Sequence, residues 1–485
     1  MHYNNFGDRK LSMLMDFYEL TMANGYFSNG MKDEIVYFDM FFRKNPDGAG
    51  FSIVAGLEQV IQYIEELKFT DADIEFLRSK KMFKEEFLQY LKNFKFSGDI
   101  YAIPEGTPVF PGEPLVTVRA KAIDAQLIET MLLLTINHQS LIATKANRIV
   151  RAAKGRPIME FGARRSQGYD GAIYGGRASY IGGVVGTATT LADEVFGVPA
   201  LGTMAHSWVQ MFDSEYESFK VYAENYPDSC TLLIDTYNVI NSGIPNAIKV
   251  SREVLEPMGK RVKGVRIDSG DIAYLSKKCR ELLDEAGLTD CGIVASNSLD
   301  EFIITDLLDQ GAKIDSFGVG ERLITAKSEP VFGCVYKLVA IENEGEIVPK
   351  IKISENEEKI TNPGYKKVWR LYDRTTNNPI ADVVAMSNEV IDDTKPYTIF
   401  DETHVWKKKK ISNFYAKNLQ VPIFINGKCV YESPSLDDIR AYCKSEVDNL
   451  WNEVKRFINP HSYYVDLSQE LWNCKQELIR QFSFK

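Results

Sequence analysis

The sequence predicts an α/β protein: an irregular (β/α) barrel with a second α/β domain built from the N- and C-terminal segments. Two observations lead there. First, seven stretches between Pro157 and Leu323 share one design, a short apolar run followed by polar or glycine-rich residues. They read PIMEFGARRSQ, ASYIGGVVGTATT, VPALGTMAHS, CTLLIDTYNV, VKGVRIDSGD, GIVASNSLD and KIDSFGVGERL. Most are followed by a segment with helical spacing, the signature of a parallel barrel whose strand ends converge on one site. Second, His206, Asp235, Asp268 and Asn297 fall at intervals of 29, 33 and 29 residues. One βα unit takes about 30 residues. Seven strands are one short of a closed eight, so either an eighth is concealed or the barrel is irregular.

The elements follow in order. Residues 11–27 read as an amphipathic helix, because Leu11, Leu14, Met15, Tyr18 and Met22 recur at spacings of three and four. VYFDMFFR (36–43) reads as a strand. Helical patterns follow at Gly56–Leu67 and Asp71–Phe94. Prolines and glycines then punctuate short β runs across Gly98–Arg119, as in a small antiparallel unit. Ala122–Lys154 reads as helical throughout. After the barrel pattern, YKLVAIENEGEIVPKIKIS and KKVWRLYDRTTNNPIADVVAM read as hairpins, and Ser435–Leu478 as mainly helical. The expected division is 1–125 and 331–485 for the flanking domain, with 126–330 as the barrel.

Composition narrows the function. A chain of 485 residues exceeds one simple core. Its net charge of −10 gives no basic stripe for nucleic acid. The KKKK run at Lys407–Lys410 reads as a solvated loop. No apolar run is long enough to span a membrane, and the N-terminus lacks the apolar core of a secretory signal. The seven cysteines are scattered without CxxC spacing, which fits the reducing cytoplasm rather than zinc or a disulfide framework. No histidine pair has metal-ligand spacing.

The candidate site residues lie at the strand ends. In EFGARRSQ, Arg164 and Arg165 offer planar forks of donors to a carboxylate or phosphate. Phe161 stacks on a flat ring or belongs to the core; the residues alone leave both readings open. In GTMAHSW, His206 supplies an imidazole, the side chain suited to moving protons or acting as a nucleophile. Asp235, one strand later, suits as the partner that holds one ring nitrogen. In GVRIDSG, Arg266 and Asp268 share one strand face and Val265 and Ile267 the other. The polar pair is either a structural ion pair or ligand recognition. The carboxylates at the ends of LLIDTYN and RIDSGD bind Mg²⁺, accept sugar hydroxyls, or, with Ser269 and Asp271, cap the next helix. Gly318 and Gly320 let backbone N–H groups approach a phosphate, with Ser296, Asn297 and Ser298 beside them. Gly186 and Thr187 form a further glycine-rich ligand contact.

These motifs, with DFYELTMANGY near the start and the ordered run GTATTLADEVFGVPALGTMAHSW, LIDTY, RIDSGD, SNSLDE and FGVGERL, resemble the nicotinate phosphoribosyltransferases of the type II phosphoribosyltransferase fold. The resemblance covers roughly residues 9–330, with a family-like C-terminal part beyond. It implies transfer of phosphoribosyl from 5-phosphoribosyl 1-diphosphate to nicotinate, with ATP as co-substrate and Mg²⁺ as cofactor. It further implies that His206 becomes phosphohistidine, oriented by Asp235. Phe161 then stacks on the pyridine ring, with Tyr18 from the second subunit of a homodimer. Arg164, Arg266 and Asp268 surround base, diphosphate and ribose, and Gly318 and Gly320 hold the 5′-phosphate. The direct metal ligands stay unassigned.

One departure bears on the substrate. Relatives that use nicotinamide carry an aspartate within GTDT; here Gly186-Thr187-Ala188-Thr189 stands in its place. Loss of a carboxylate suits the anionic acid. A sugar-phosphate aldolase would need a Schiff-base lysine at a strand end, yet Lys263 and Lys313 sit at strand beginnings. A non-enzymatic metabolite sensor would not need a histidine–aspartate pair beside arginines.

Overall fold

Six short strands build a parallel sheet in the unit Ile142–Pro330 of the computed structural model, which describes residues 11–356 and 359–483. Their spatial order is Gly186–Thr187, Ile158–Glu160, Ser316–Val319, Gly292–Ala295, Gly264–Ile267, Thr231–Leu233. Every neighbouring pair is parallel. Helices Tyr169–Ile181, Glu215–Asn225, Ile272–Glu285 and Glu301–Asp309 lie between strands in the chain. The strand period works as the alternation requires: Val265 and Ile267 are fully buried among Leu232, Ile293, Cys279 and Leu283, while Arg266 and Asp268 turn to the other face.

The seven expected strands reduce to six. The VPALGTMAHS stretch forms only an isolated bridge, Ala200 to Thr187. Its backbone still serves the edge of the sheet, since Thr187 N–H donates to Pro199 O and Leu201 N–H to Thr187 O. A Cβ at Gly186 would stand 2.4 Å from Pro199 O, so the close approach there requires glycine. Two expectations change as a result. His206 follows irregular chain, not a strand, and opens the helix His206–Gln210. In ASYIGGVVGTATT, the first residues close the helix Tyr169–Ile181, and the strand is only Gly186–Thr187.

The second unit combines the described residues up to Leu141 with those from Val331 onward. Its largest sheet explains why distant segments join. Ile35–Phe41 lies between Val116–Lys121 and Val335–Asn343, antiparallel to both, so Met40 pairs with Val116 on one side and Tyr336 on the other. The two expected hairpins are present, Val335–Asn343 with Glu346–Pro349 and Lys366–Asp373 with Pro379–Met386. Buried charges are paired: Lys366 with Asp39 at 2.8 Å and Arg370 with Asp382 at 2.7 Å, as desolvated ions require.

Several expected elements of this unit differ. The Asp71–Phe94 helix is two helices, Asp71–Ser79 and Glu85–Lys92. The 122–154 helix breaks between Gln126 and Glu129. The lysine run is not a loop, because Lys408–Ile411 pairs with Tyr397–Phe400. The helical tail is interrupted by the strand Val465–Leu467. The expected 11–27 helix begins only at Phe17, after a 3₁₀ turn at Leu11–Met13. Its buried residues are Glu19, Leu20 and Ala23, while Leu14, Tyr18 and Met22 are exposed. Among the described residues, no helix is long and apolar enough to cross a membrane. All seven cysteines are unbridged.

Candidate active site

Adjacent strand ends build the centre of the site. Asp235 follows Thr231–Leu233, and its side chain is almost fully buried. One oxygen, Oδ1, lies 3.2 Å from His206 Nε2. The other accepts from Asp268 N–H at 3.1 Å and from the Ser269 hydroxyl at 2.6 Å. The next strand's loop thus fixes Oδ2, and Oδ1 in turn holds the imidazole. This arrangement leaves His206 Nδ1 available, on a side chain 36% exposed.

Arg266 occupies the middle. Its Nη1 donates to the Thr203 hydroxyl at 2.8 Å and to Met204 O at 3.2 Å, in the segment that leads to His206. Its Nε donates to the Ser296 hydroxyl at 3.0 Å, and that hydroxyl donates to Asp268 Oδ1 at 2.5 Å. Arg266 and Asp268 are themselves 3.6 Å apart. Ser296 therefore bridges the pair that alternation places on one face. Asp271, by contrast, caps the helix Ile272–Glu285 by accepting from Tyr274 N–H at 2.9 Å. Within RIDSGD, capping falls on Asp271, while Asp268 and Ser269 are bonded to Ser296 and Asp235.

Phe161 follows the strand Ile158–Glu160, and its N–H is tied to Val319 O at 2.8 Å. The Arg266 guanidinium carbon lies 6.0 Å from the ring centroid, a cation–π distance. Gly318 was expected in a phosphate loop. It lies instead within the strand Ser316–Val319, where a Cβ would stand 2.5 Å from the Phe161 ring. Its missing side chain makes room for that ring. Gly320 follows the strand, and a Cβ there would meet Phe161 O at 3.1 Å. Arg164 and Arg165 form the next 3₁₀ turn, both exposed and with no ion pair among the described residues. Asn297 and Ser298 carry φ of 98° and 47°, two successive left-handed positions after Gly292–Ala295. Such backbone is costly and concentrates at functional loops.

Thr187 is fully buried and donates its hydroxyl to Glu160 Oε2 at 2.6 Å, so it supports the site from behind instead of facing a ligand. Glu160 was not among the expected residues. It is a buried carboxylate whose pKa burial raises, and its other oxygen accepts the Gly162 N–H. A glutamate at a strand end, two residues before a glycine with no room for a side chain, was the available signal. Thr203 was also missed, because its importance depends on reaching Arg266, 63 residues away. Tyr18 lies in the other unit, exposed, on the helix Phe17–Ser28. Burial and the Glu129 carboxylate raise its phenol pKa.

No cluster of three or more metal-ligating side chains exists among the described residues. Asp268 nevertheless suits Mg²⁺, because only its Oδ1 is hydrogen-bonded. This ion is commonly held by one or two carboxylates plus substrate phosphates.

Fold and site together define an α/β enzyme with an imidazole–carboxylate pair, arginines and an aromatic ring gathered at the strand ends of a parallel sheet. Family models agree along the chain: the nicotinate phosphoribosyltransferase N-terminal domain matches residues 13–137, the family model 157–380, and the C-terminal domain 365–475. The nicotinate phosphoribosyltransferase of Bacillus subtilis (strain 168) is 44% identical over 478 residues, covering 98% of this chain and 96% of that protein. The crystal structure of human nicotinic acid phosphoribosyltransferase is similar with a TM-score of 0.85 at 28% identity, over 96% of this chain and 99% of that one. The fold also matches a nicotinate-nucleotide pyrophosphorylase from Pyrococcus furiosus, with a TM-score of 0.70 at 24% identity, over 93% and 98% of the two chains. The chain belongs to the nicotinate phosphoribosyltransferase family, and it is an enzyme of that class.

Proposed function

We propose that this enzyme transfers phosphoribosyl from 5-phosphoribosyl 1-diphosphate to nicotinate, coupled to ATP hydrolysis through a phosphoryl group on His206. The products are nicotinate mononucleotide and diphosphate, a step of NAD salvage. The observation that carries this reading is the His206–Asp235 contact, with Asp235 locked by Asp268 N–H and Ser269. A nucleophilic imidazole needs one nitrogen held and the other free. In the first stage, Nδ1 attacks the γ-phosphorus of ATP, the bond to the bridging oxygen breaks, and ADP leaves. Water later cleaves the N–P bond and releases phosphate. Asp235 stabilises the imidazolium character that develops on the ring.

In the transfer itself, the pyridine nitrogen of nicotinate bonds to C1 of the ribose as the C1–O bond to diphosphate breaks. Phe161 carries the pyridine ring, facing Tyr18 of the partner subunit in a homodimer. Arg164 and Arg165 meet the nicotinate carboxylate or a phosphate, and Arg266 stabilises charge that grows on the leaving diphosphate. Asp268, with Asp235 nearby, would hold Mg²⁺, which supplies charge neutralisation for that leaving group. Asn297 and Gly320 offer backbone N–H groups to the 5′-phosphate, while Gly318 accommodates Phe161 and Thr187 steadies Glu160. Exposed Ala188 leaves no carboxylate opposite the nicotinate anion.

The test is chemical trapping. ATP labelled at the γ-phosphate should leave an acid-labile adduct on the native protein and none on His206→Ala. The variant should lose ATP hydrolysis and coupling while retaining slow ATP-independent release of diphosphate. Equal label on both proteins would overturn the assignment.

A further inference from the structure

Glu160 is a buried acid that takes no part in the chemistry above. It ends the strand Ile158–Glu160, its side chain is fully buried, and among the described residues no cation acts on it. A carboxyl group kept from water without a cation costs free energy, so it persists where its acceptor atoms are needed.

Two hydrogen bonds satisfy it. Oε1 accepts the N–H of Gly162, and Oε2 accepts the hydroxyl of Thr187 at 2.6 Å. The two donors lie on different segments. Gly162 follows Phe161 and opens the turn Ala163–Arg165, which carries Arg164 and Arg165. Thr187 closes the strand Gly186–Thr187 and precedes Ala188. The ladder between the two strands is short: Met159 pairs with Gly186 and Glu160 with Thr187, and Ala188 N–H then donates to Glu160 O at 2.8 Å. Beyond the ladder, the carboxylate carries the link onward to the turn.

Both partners act as donors. A backbone N–H can do nothing else. The Thr187 oxygen already accepts Thr189 N–H at 3.1 Å, and its proton points to Glu160. Each side therefore needs an acceptor, which a carboxylate provides on both oxygens and an amide on one only. The fit on the turn side is close. A Cβ on Gly162 would stand 2.6 Å from Ile324 Cβ and 2.7 Å from Glu160 Oε1, so Gly162 is wedged between them.

We propose that Glu160 is the positioning residue that sets the spacing of the two walls of the pyridine site, the 161–165 turn on one side and Thr187 with Ala188 on the other. The identity of these segments as the walls rests on the nicotinate reading above. Glu160 itself touches no substrate, because both its oxygens are occupied and its side chain is fully buried. It acts through Phe161 and the arginines that follow, so its effect falls on nicotinate binding and spares the phosphoryl chemistry of His206.

Steady-state kinetics of Glu160→Gln, Thr187→Val, the double variant and Thr187→Ser test this. Glu160→Gln keeps the shape of the side chain but sets an amide N–H₂ against one of the two donors. It should raise the KM for nicotinate about tenfold, while the KM for 5-phosphoribosyl 1-diphosphate and kcat stay within about twofold. Thr187→Val should raise the same KM about threefold, and Thr187→Ser should match the native enzyme. The double variant should be no worse than Glu160→Gln, since the shared bond is lost only once. If Glu160→Gln does not fold, Thr187→Val against Thr187→Ser carries the test. An equal rise of both KM values, additive effects in the double variant, or an unchanged KM for nicotinate overturns the proposal. Native protein that fails to transfer phosphoribosyl to nicotinate sinks the reaction and the proposal together. A native enzyme active on nicotinate, with variants indifferent to it, sinks the positioning role alone.

Discussion

At the scale of single residues, the site depends on side chains that are absent as much as on those present. Gly318 is the clearest case, because a Cβ there would stand 2.5 Å from Cδ2 of Phe161. Gly318→Ala should therefore push Phe161 off its position and cost about 1–3 kcal/mol through overpacking. The same variant should raise the KM for nicotinate more than that for 5-phosphoribosyl 1-diphosphate. Unchanged kinetics together with unchanged thermal stability would show that the ring has room to move. Ala188 governs charge instead of shape. Ala188→Asp should weaken nicotinate use by about tenfold or more, since a charged contact of this kind is worth about 1.5–3 kcal/mol. Measured kcat/KM values for nicotinate and nicotinamide decide it, and comparable turnover of both by the native enzyme rules the selectivity out.

At the scale of elements, the helix Phe17–Ser28 shows how a periodic reading goes astray. Its spacing put Tyr18 and Met22 on the apolar stripe of an amphipathic helix, yet these are exposed and Glu19 is fully buried. The reason is a pair of hydrogen bonds, one of them from a distant segment. Glu19 accepts from Asp16 N–H at 3.3 Å and from the Thr130 hydroxyl, which draws the carboxylate inward at the helix start. Burial pushes the Glu19 carboxyl up to about 7 from an ordinary 4.5, with the Thr130 hydrogen bond opposing the rise and the Glu129 and Asp16 charges contributing to it. The folded protein holds this proton more tightly than the unfolded chain does. Its stabilising contribution is complete below about pH 4.5 and is lost as pH rises through about 7. Glu19→Gln removes that dependence. The difference in Tm between native protein and variant should therefore shift against the native protein between these pH values. A difference that stays constant by scanning calorimetry contradicts the buried, proton-retaining carboxyl.

At the scale of the whole molecule, the exposed apolar residues Leu14, Phe17, Tyr18 and Met22 lie close together in the sequence at one end of the chain. In the proposed homodimer this region delivers Tyr18 to the partner's pyridine site, where stacking adds about 0.5–1.5 kcal/mol beyond burial. Subunit mixing tests this directly. Tyr18→Ala and His206→Ala should each lack coupled activity. Their hybrid should regain it, because one of its two sites combines Tyr18 from one chain with His206 from the other. Silence of the hybrid, with subunit exchange verified and both parents silent, refutes a shared site.

The sequence by itself determined the parallel α/β class, the placement of Arg266 and Asp268 opposite Val265 and Ile267, and the hairpins after the barrel. Each of these follows from a period or a turn signal confined to neighbouring residues. It also picked out His206 and Asp235 from their residue types and spacing, although His206 follows irregular chain and not a strand. Only the tertiary structure decided which groups complete them. Ser296 joins Arg266 to Asp268, Thr203 anchors Arg266, and Glu160 ties Thr187 to Gly162. Likewise, the VPALGTMAHS stretch had the residues of a strand but kept a single bridge, to Thr187. The physical reason is common to all of these. A hydrogen bond between residues far apart in the chain forms when packing brings donor and acceptor within about 3 Å, and no local pattern of residues encodes that distance.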